Sequence, residues 1–406
     1  MTRPALEVAD IFRECGAQYR KIHGPSMSRE QYRAMRAIEV CRTAYLGGHV
    51  DVCDHCGAER HSYNSCRNRH CPKCQSLAKA EWLEDRMAEL LPAPYYHVVF
   101  TIPEEVASVA FQNKKTVYTI LFKAASETLR TIAADPRHLG AEIGFLAVLH
   151  TWTQALLHHP HLHCVIPGGG LSPDHSRWVS CRLGFFLPVR VLSRLFRAKF
   201  LYYLRQAFDQ GKLLFFSDLK SLSDPKAFGP FLTRNRKSEW VVYAKPPFGG
   251  PTQVLDYLGR YTHRVAISNH RLIAFRDGKI SFRWRDRKKH DRIRTMTLDA
   301  DEFIRRFLIH ILPQGFAKIR YFGFLSNRHR RNRLSLCRLL LKAPPLDADL
   351  QVLNWKSRHE SLTGESLDSC PVCRKGRMHT VQILLPFWQK RNRKPVAYTK
   401  QRIHSP

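Results

Sequence analysis

Two groups of residues in this 406-residue chain have types and spacings that could do chemistry. His161-Leu162-His163 opens the apolar run LHCVIP. On a strand, positions i and i+2 face the same side, so both imidazoles can reach one ion while Leu162 packs behind them. About a hundred residues downstream, Asp256-Tyr257-Leu258-Gly259-Arg260-Tyr261 sets two phenols at i and i+4, one helical turn apart with about 5–6 Å between their Cβ atoms. Arg260, His263 and Arg264 flank the pair. A face so charged buries poorly by itself and calls for a polyanion. Each motif alone also has a bland reading, a core or surface histidine pair and aromatic packing, so the weight falls on their combination.

A third group is sulfur. Cys53-x2-Cys56-x14-Cys71-x2-Cys74 has the spacing of a tetrahedral zinc site, in which each C-x2-C turn presents two thiolates to one ion. Residues 41–74 are dense in Cys, His, Asn and Arg and poor in aliphatics, so buried free thiols would have no core to occupy. Cys41, His49, Cys66 and His70 lie in the same stretch, and some of them could bind a second, interleaved zinc. With four protein ligands such zinc is structural. Arg60, Arg67, Asn68, Arg69 and Lys73, between the ligands, are expected to face DNA phosphates. Cys370-x2-Cys373 is half a site that His359 or His379 could complete, while Cys15, Cys164, Cys181 and Cys337 are isolated and read as core residues.

The elements that must position these groups are legible from periodicity. Residues 5–40 read as two short helices broken at His23-Gly24-Pro25, and residues 75–91 as an amphipathic helix ended by Pro92. From Tyr95 the character changes. YYHVVFTIP, 143–151 and 162–167 read as strands, with a long helical pattern to about Ala134 between the first two. A helix over 189–209, a short strand over 240–244 and a helix from about 252 to 262 follow. Residues 271–275 and 280–284 then form a hairpin about Asp277-Gly278. The last hundred residues read as mostly helical and basic, ending in a loosely ordered tail. No internal repeat or low-complexity block is visible. This divides the chain into residues 1–91, N-terminal helices plus a zinc-binding DNA-recognition module; 92–275, an α+β domain; and 276–406, a basic C-terminal region.

Composition bounds the partner. With 66 Lys+Arg against 34 Asp+Glu the formal net charge is +32, on a chain whose 44% hydrophobic and 11% aromatic content is that of a packed protein. Nucleic acid is the commonest polyanion to answer such a charge. The N-terminal residues lack the apolar core of a signal peptide, apolar runs are far shorter than a membrane span, and paired cysteines suit metal in a reducing compartment. The expected location is the cytoplasm.

Five motifs in order, SCRNRHCPKCQ (65–75), YYHVVFTIP (95–103), HPHLHCVIPGGGL (159–171), YLGRYTHRVAISNHR (257–271) and RYFGFLSNRHR (320–330), resemble the HUH transposases of rolling-circle insertion sequences, in the branch with two tyrosines and an N-terminal zinc-binding region. The resemblance spans about Cys41 to Asn332. It implies an HUH-type antiparallel sheet flanked by helices, with the zinc module before it and a mainly helical basic region after it. It also implies that His161 and His163 bind a catalytic divalent cation, Mg²⁺ or Mn²⁺. Tyr257 and Tyr261 would be the nucleophiles, leaving a 5′-phosphotyrosine and a free 3′-OH on single-stranded or hairpin DNA ends of the element and its target. Gln253 and Gln154 are the leading candidates for a third ligand, with His97 and His159 behind them. A phenol is a modest nucleophile at neutral pH, so the phosphate must be polarised.

The basic segments 283–294 and 328–333, and Tyr202/Tyr203 with Arg205, are expected to hold the strand, with Arg67, Arg69, Arg260, Arg264, Arg328, Arg330 and Arg331 as DNA contacts. Two other functions use the same residues: a plasmid or phage replication initiator or relaxase with the same nicking chemistry, and a non-catalytic zinc DNA-binding protein.

Overall fold

The computed structural model describes residues 4–74, 82–83, 85–87, 89–182, 184, 186–245, 253, 259, 266–286, 292–345, 356–357, 359–360, 364 and 366–390. The chain runs α1 (Val8–His23), α2 (Arg29–Glu39), β1 (Gly48–Cys53), β2 (Glu59–Tyr63), β3 (Tyr95–Thr101), α3 (Glu104–Gln112), α4 (Lys114–Ala134), β4 (Phe145–Trp152), β5 (His158–Pro167), β6 (Gly169–Leu171), β7 (Trp178–Ser180), α5 (Val189–Asp209), α6 (Pro225–Lys237) and β8 (Val242–Lys245). It continues with β9 (Leu272–Arg276), β10 (Lys279–Asp286), β11 (Arg292–Asp299), α7 (Ala300–Leu308), β12 (Ile319–Phe322), α8 (Arg330–Leu340), β13 (Met378–Leu384) and α9 (Phe387–Lys390). Among the described residues no helix is long and apolar enough to cross a membrane.

A five-stranded, wholly antiparallel sheet in the order β12-β4-β5-β3-β8 organises the centre. Period-two alternation gives it two unlike faces. Leu162, Cys164 and Ile166 of β5, Phe145, Ala147 and Leu149 of β4, and Tyr96, Val98 and Phe100 of β3 point into the main core. Helices α3 to α6 cover that face, with α4 and α5 packed together. Phe196 and Phe200 of α5 meet Trp240 edge-on, ring centroids 5.5 and 5.1 Å away, and each such side chain contributes roughly 1.5–3 kcal/mol by burial. On the opposite face Tyr95, Leu146, Val148 and Val165 form a smaller cluster with Trp82 and Leu90, and the histidines stand on this side.

A second core joins the N-terminal helices to the segment from β10 to α7. Val8, Ile11 and Phe12 of α1 and Met35 and Ile38 of α2 pack on Phe303, Ile304 and Phe307 of α7 and on Ile280 and Phe282 of β10. The Phe12 and Phe307 rings meet edge-on at 5.3 Å. Leu156, at the tip of the β4–β5 hairpin, is fully buried in this core in a left-handed conformation, φ 62°.

Most expected elements form where periodicity placed them. The two N-terminal helices, β3, β4 and α5 agree within a few residues, and the Asp277-Gly278 turn closes β9 on β10 with both residues at positive φ, 51° and 68°. The helical stretch before Ala134 divides at Asn113, whose side-chain amide both donates to and accepts from the Leu214 backbone. The histidine run belongs wholly to β5, which starts at His158 and not at Leu162. The last hundred residues are less helical than expected. They contribute β12 and β13, because β12 completes the central sheet against β4 and β13 completes a three-stranded sheet in the order β13-β1-β2. Most of the expected helices over 252–262 and 75–91, and the C-terminal tail beyond residue 390, lie outside the described residues.

Gly323 shows how tightly β12 is seated: at φ 59°, a Cβ there would come within 1.7 Å of the Ile143 carbonyl oxygen. Gly323→Ala is expected to cost about 1–3 kcal/mol from backbone strain alone. That should lower the thermal midpoint by roughly 3–10 °C. Gly184→Ala, also at positive φ but with nothing within 4 Å, should lose less in the same melting experiment.

Candidate functional site

Three imidazoles converge on the second face of the central sheet. His161 and His163 share β5, and His150 sits directly opposite His161 on β4. Their ligand-capable nitrogens all lie within 4.8 Å of one another. The His150 ring is 4.2 Å from that of His163 and 5.4 Å from that of His161, and it stacks at 4.6 Å on Trp152. His150 and His163 are buried and His161 is half-buried, so one side of the cluster opens outward.

Hydrogen bonds fix how the rings present themselves. A carbonyl can only accept, so the 2.7 Å contact from His161 Nδ1 to the His159 oxygen places the proton on Nδ1 and turns the Nε2 lone pair outward. His163 Nδ1 is 2.8 Å from His97 Nε2, in two nearly coplanar rings. His97 thereby orients His163 as second partners of metal-binding imidazoles commonly do. Three convergent nitrogen donors with an open side suit a divalent transition ion.

The structure brings His150 beside His161 and His163, a donor outside the expected candidates Gln253, Gln154, His97 and His159. β4 alternates Leu146, Val148 and His150 on one face with Phe145, Ala147 and Leu149 on the other. The antiparallel register that sets Val148 against His163 sets His150 against His161. Gln154 lies beyond the paired strands in the hairpin tip, where its backbone carbonyl accepts a 2.6 Å bond from Arg271. Gln253 is exposed. His97 supports His163, and His159 contributes its carbonyl to His161. Tyr257, Tyr261, Arg260 and Arg264 lie outside the described residues.

The cysteines form two quartets, grouped otherwise than spacing implied. Cys41, Cys66, Cys71 and Cys74 gather at the edge of the second core, with Cys41 and Cys66 each 3.5 Å from Cys74. Cys53 and Cys56 stand instead with Cys370 and Cys373. The expected quartet Cys53/Cys56/Cys71/Cys74 is therefore split: β1 carries Cys53 toward β13, whereas Cys71 and Cys74 turn back toward the end of α2. Neither His359 nor His379 completes the C-terminal pair, and His379 bonds Asp54 at 3.2 Å. His49 reaches Asp51. His70 is also no ligand of these quartets, since its Nε2 accepts the Leu312 backbone N–H at 3.2 Å. All twelve cysteines are free of disulfides.

Several cations assigned to DNA are used internally. Arg69 donates to the Pro313 and Phe316 carbonyls, Arg60 to Asp51 and the Leu367 carbonyl, and Lys73 pairs with Glu7. Arg330 pairs with Glu89 at 3.2 Å and lies over the Tyr321 ring. Arg67, Arg328 and Arg331 are exposed, as are Arg283, Arg285, Arg292 and Arg294 along the β10–β11 ribbon.

Beneath the cluster lies a set of histidines held neutral. His310 Nε2 donates to the Leu156 carbonyl and its Nδ1 accepts from Thr151, and His158 bonds the Tyr118 hydroxyl at 2.9 Å. Burial lowers His70, His158 and His310 to about 3. Because the folded values lie below the unfolded one near 6.5, their contribution is whole above about pH 6.5 and is lost as pH falls from there toward 3. Each such histidine should remove about 1.4 kcal/mol per pH unit in that window. His310→Gln, which keeps a donor for Leu156, should reduce the pH dependence of urea unfolding between pH 5 and 6.5 by about that amount. An unchanged slope would contradict this account.

Comparison with known proteins agrees with this architecture. The family described as "Putative transposase" matches residues 144–333, the stretch from β4 to the start of α8, and the family described as "Transposase zinc-binding domain" matches residues 11–102. The chain is 62% identical over 385 residues to "Putative transposase y4qJ" of Sinorhizobium fredii, covering 94% of this chain and 96% of that one. It is 27% identical over 300 residues, 71% of this chain and 68% of the other, to "Transposase for insertion sequence element IS801" of Pseudomonas savastanoi pv. phaseolicola. No solved structure matches it. With both regions matched in order and a relative this similar along nearly its whole length, the chain belongs to the insertion-sequence transposases that carry an IS91-type zinc-binding domain.

Proposed function

We propose that this transposase cuts and rejoins single-stranded DNA through tyrosine–DNA intermediates, with the His150/His161/His163 cluster holding the metal that the reaction needs. The observation that carries the reading is the convergence of three histidines, two of them from the H-x-H motif, on the open side of the central sheet. A divalent cation bound there would supply positive charge to a nonbridging oxygen of the scissile phosphate. Imidazole donors favour Mn²⁺ over Mg²⁺, so Mn²⁺ should support the faster reaction at equal concentration.

The chain's own residues do the remaining work. His161 Nδ1–H, donating to the His159 carbonyl, and His97, bonded to His163, hold the two rings against rotation so that their donor atoms stay in place. Tyr257 and Tyr261 are the proposed nucleophiles. A phenolate oxygen attacks phosphorus, the 3′ oxygen of the preceding nucleotide leaves and takes up a proton, and the 5′ phosphate stays esterified to tyrosine. The phosphotyrosine ester preserves the bond energy, so a 3′-OH from another end can reverse the step and release the tyrosine. Two tyrosines allow one to keep the first 5′ end while the other opens the second.

The exposed arginines of the β10–β11 ribbon, together with Arg67, Arg328 and Arg331, would neutralise phosphates along the strand, giving affinity that falls steeply with salt. The cysteine quartet Cys41/Cys66/Cys71/Cys74 is the proposed structural zinc site, joining the end of α2 to the loop before residue 75.

The reading is tested with labelled single-stranded DNA carrying an end of the element. Wild-type protein with Mn²⁺ should give an SDS-stable protein–DNA species, and EDTA should suppress it. His150→Ala should reduce adduct formation by about 10²-fold or more while leaving DNA retention in a filter assay near wild type. Adducts that persist in the Tyr257→Phe, Tyr261→Phe double variant would sink the proposal.

A further inference from the structure

We infer that Cys53, Cys56, Cys370 and Cys373 form a second structural zinc site, one that fastens the C-terminal strand β13 onto the N-terminal zinc-binding region. The first pair lies in the matched zinc-binding domain, but the second lies far beyond its last matched residue, 102.

Geometry fits a metal rather than a disulfide. Cys53 Sγ is 3.7 Å from Cys373 Sγ and Cys56 Sγ is 3.7 Å from Cys370 Sγ, with all four sulfurs within 4.8 Å. A tetrahedron with zinc–sulfur bonds of about 2.3 Å has edges of about 3.8 Å. A disulfide would require about 2.05 Å.

The two pairs also sit on matching turns. In the first, Gly57 N–H donates to the Cys53 carbonyl, and the His55 and Cys56 N–H groups point at Cys53 Sγ at 3.4 and 3.5 Å. In the second, Arg374 N–H donates to the Cys370 carbonyl, and Gly376 N–H points at Cys373 Sγ at 3.4 Å. The residue after the second cysteine is left-handed in both, Gly57 at φ 70° and Arg374 at φ 57°. Amides aimed at sulfur stabilise thiolates, the form that binds metal. Gly376 completes the cradle, because a Cβ there would fall 2.4 Å from Cys53 Sγ.

The surroundings brace the same junction. Arg377 and Asp54 exchange backbone and side-chain bonds at 3.1 and 2.8 Å, Thr380 donates to Asp51, and β13 pairs with β1 from Met378 to Leu384. Past the strand, Phe387 stacks on Tyr45 at 5.4 Å. An ion at this point closes a loop of more than 300 residues, so it constrains the unfolded chain as a long-range crosslink does.

The site is separate from the histidine cluster, and its occupancy is read without any DNA cleavage. Full-length protein purified without chelator is analysed for zinc and protein together. The Cys370→Ser, Cys373→Ser variant should hold one zinc per chain fewer than wild type, and Cys71→Ser, Cys74→Ser should lose a different one. If the first variant is insoluble, alkylation of wild-type protein followed by mass spectrometry decides. With zinc present, Cys370 and Cys373 should react at least about tenfold more slowly than after chelation, together with Cys53 and Cys56. Undiminished zinc in the Cys370→Ser, Cys373→Ser variant, or equal alkylation of that pair with and without zinc, would overturn the proposal.

Discussion

The structure depends on the two-residue alternation of β5 in the middle of an antiparallel sheet. Leu162, Cys164 and Ile166 commit one face to the main core, and that commitment leaves His161, His163 and Val165 no choice of side. A slip of one residue would drive imidazoles into the apolar layer and strand the aliphatics opposite. The register with β4 follows from the same burial and brings His150 across from His161. Core packing thus sets which face the donors occupy, at a few kilocalories for each buried side chain, and the bonds to His97 and the His159 carbonyl then fix the ring orientations.

Residues 41–74 face the converse problem, having too few aliphatics to pack. Their solution is to borrow. The first cysteine quartet leans on the core made by α1, α2, α7 and β10, and the sheet formed by β1 and β2 gains its third strand from residues 378–384. Three of the cations between the cysteines serve the same end: Arg60, Arg69 and Lys73 are bonded to carbonyls or carboxylates within the protein. Net charge could not separate the arginines that brace the fold from those that face outward, because both raise the same sum.

Local chemistry was legible from the sequence and long-range pairing was not. Helix α5 and the β9–β10 turn follow from periodicity and from Asp277-Gly278, signals contained within a few residues. The H-x-H motif was readable for the same reason. His150 was missed because a single histidine in an apolar strand carries no spacing pattern, and only the hairpin register reveals its neighbour. Cysteine spacing misled in a specific way: adjacent C-x2-C pairs imply one closed site, yet the chain assigns them to different quartets. Nothing within the sequence of residues 41–74 indicates that the partners of Cys53 and Cys56 lie beyond residue 369.

That separation matters during synthesis. Cys56 leaves the ribosome 314 residues ahead of Cys370, an interval of about 16–60 s at ordinary translation rates. For nearly all of it, the nearest other C-x2-C pair already made is Cys71/Cys74, which the folded chain groups elsewhere. A Cys41/Cys66/Cys71/Cys74 group that closed in this interval would remove those sulfurs from competition and keep Cys53 and Cys56 available. The order in which the chain emerges therefore bears on which sulfurs can meet first, a constraint that the finished fold does not display.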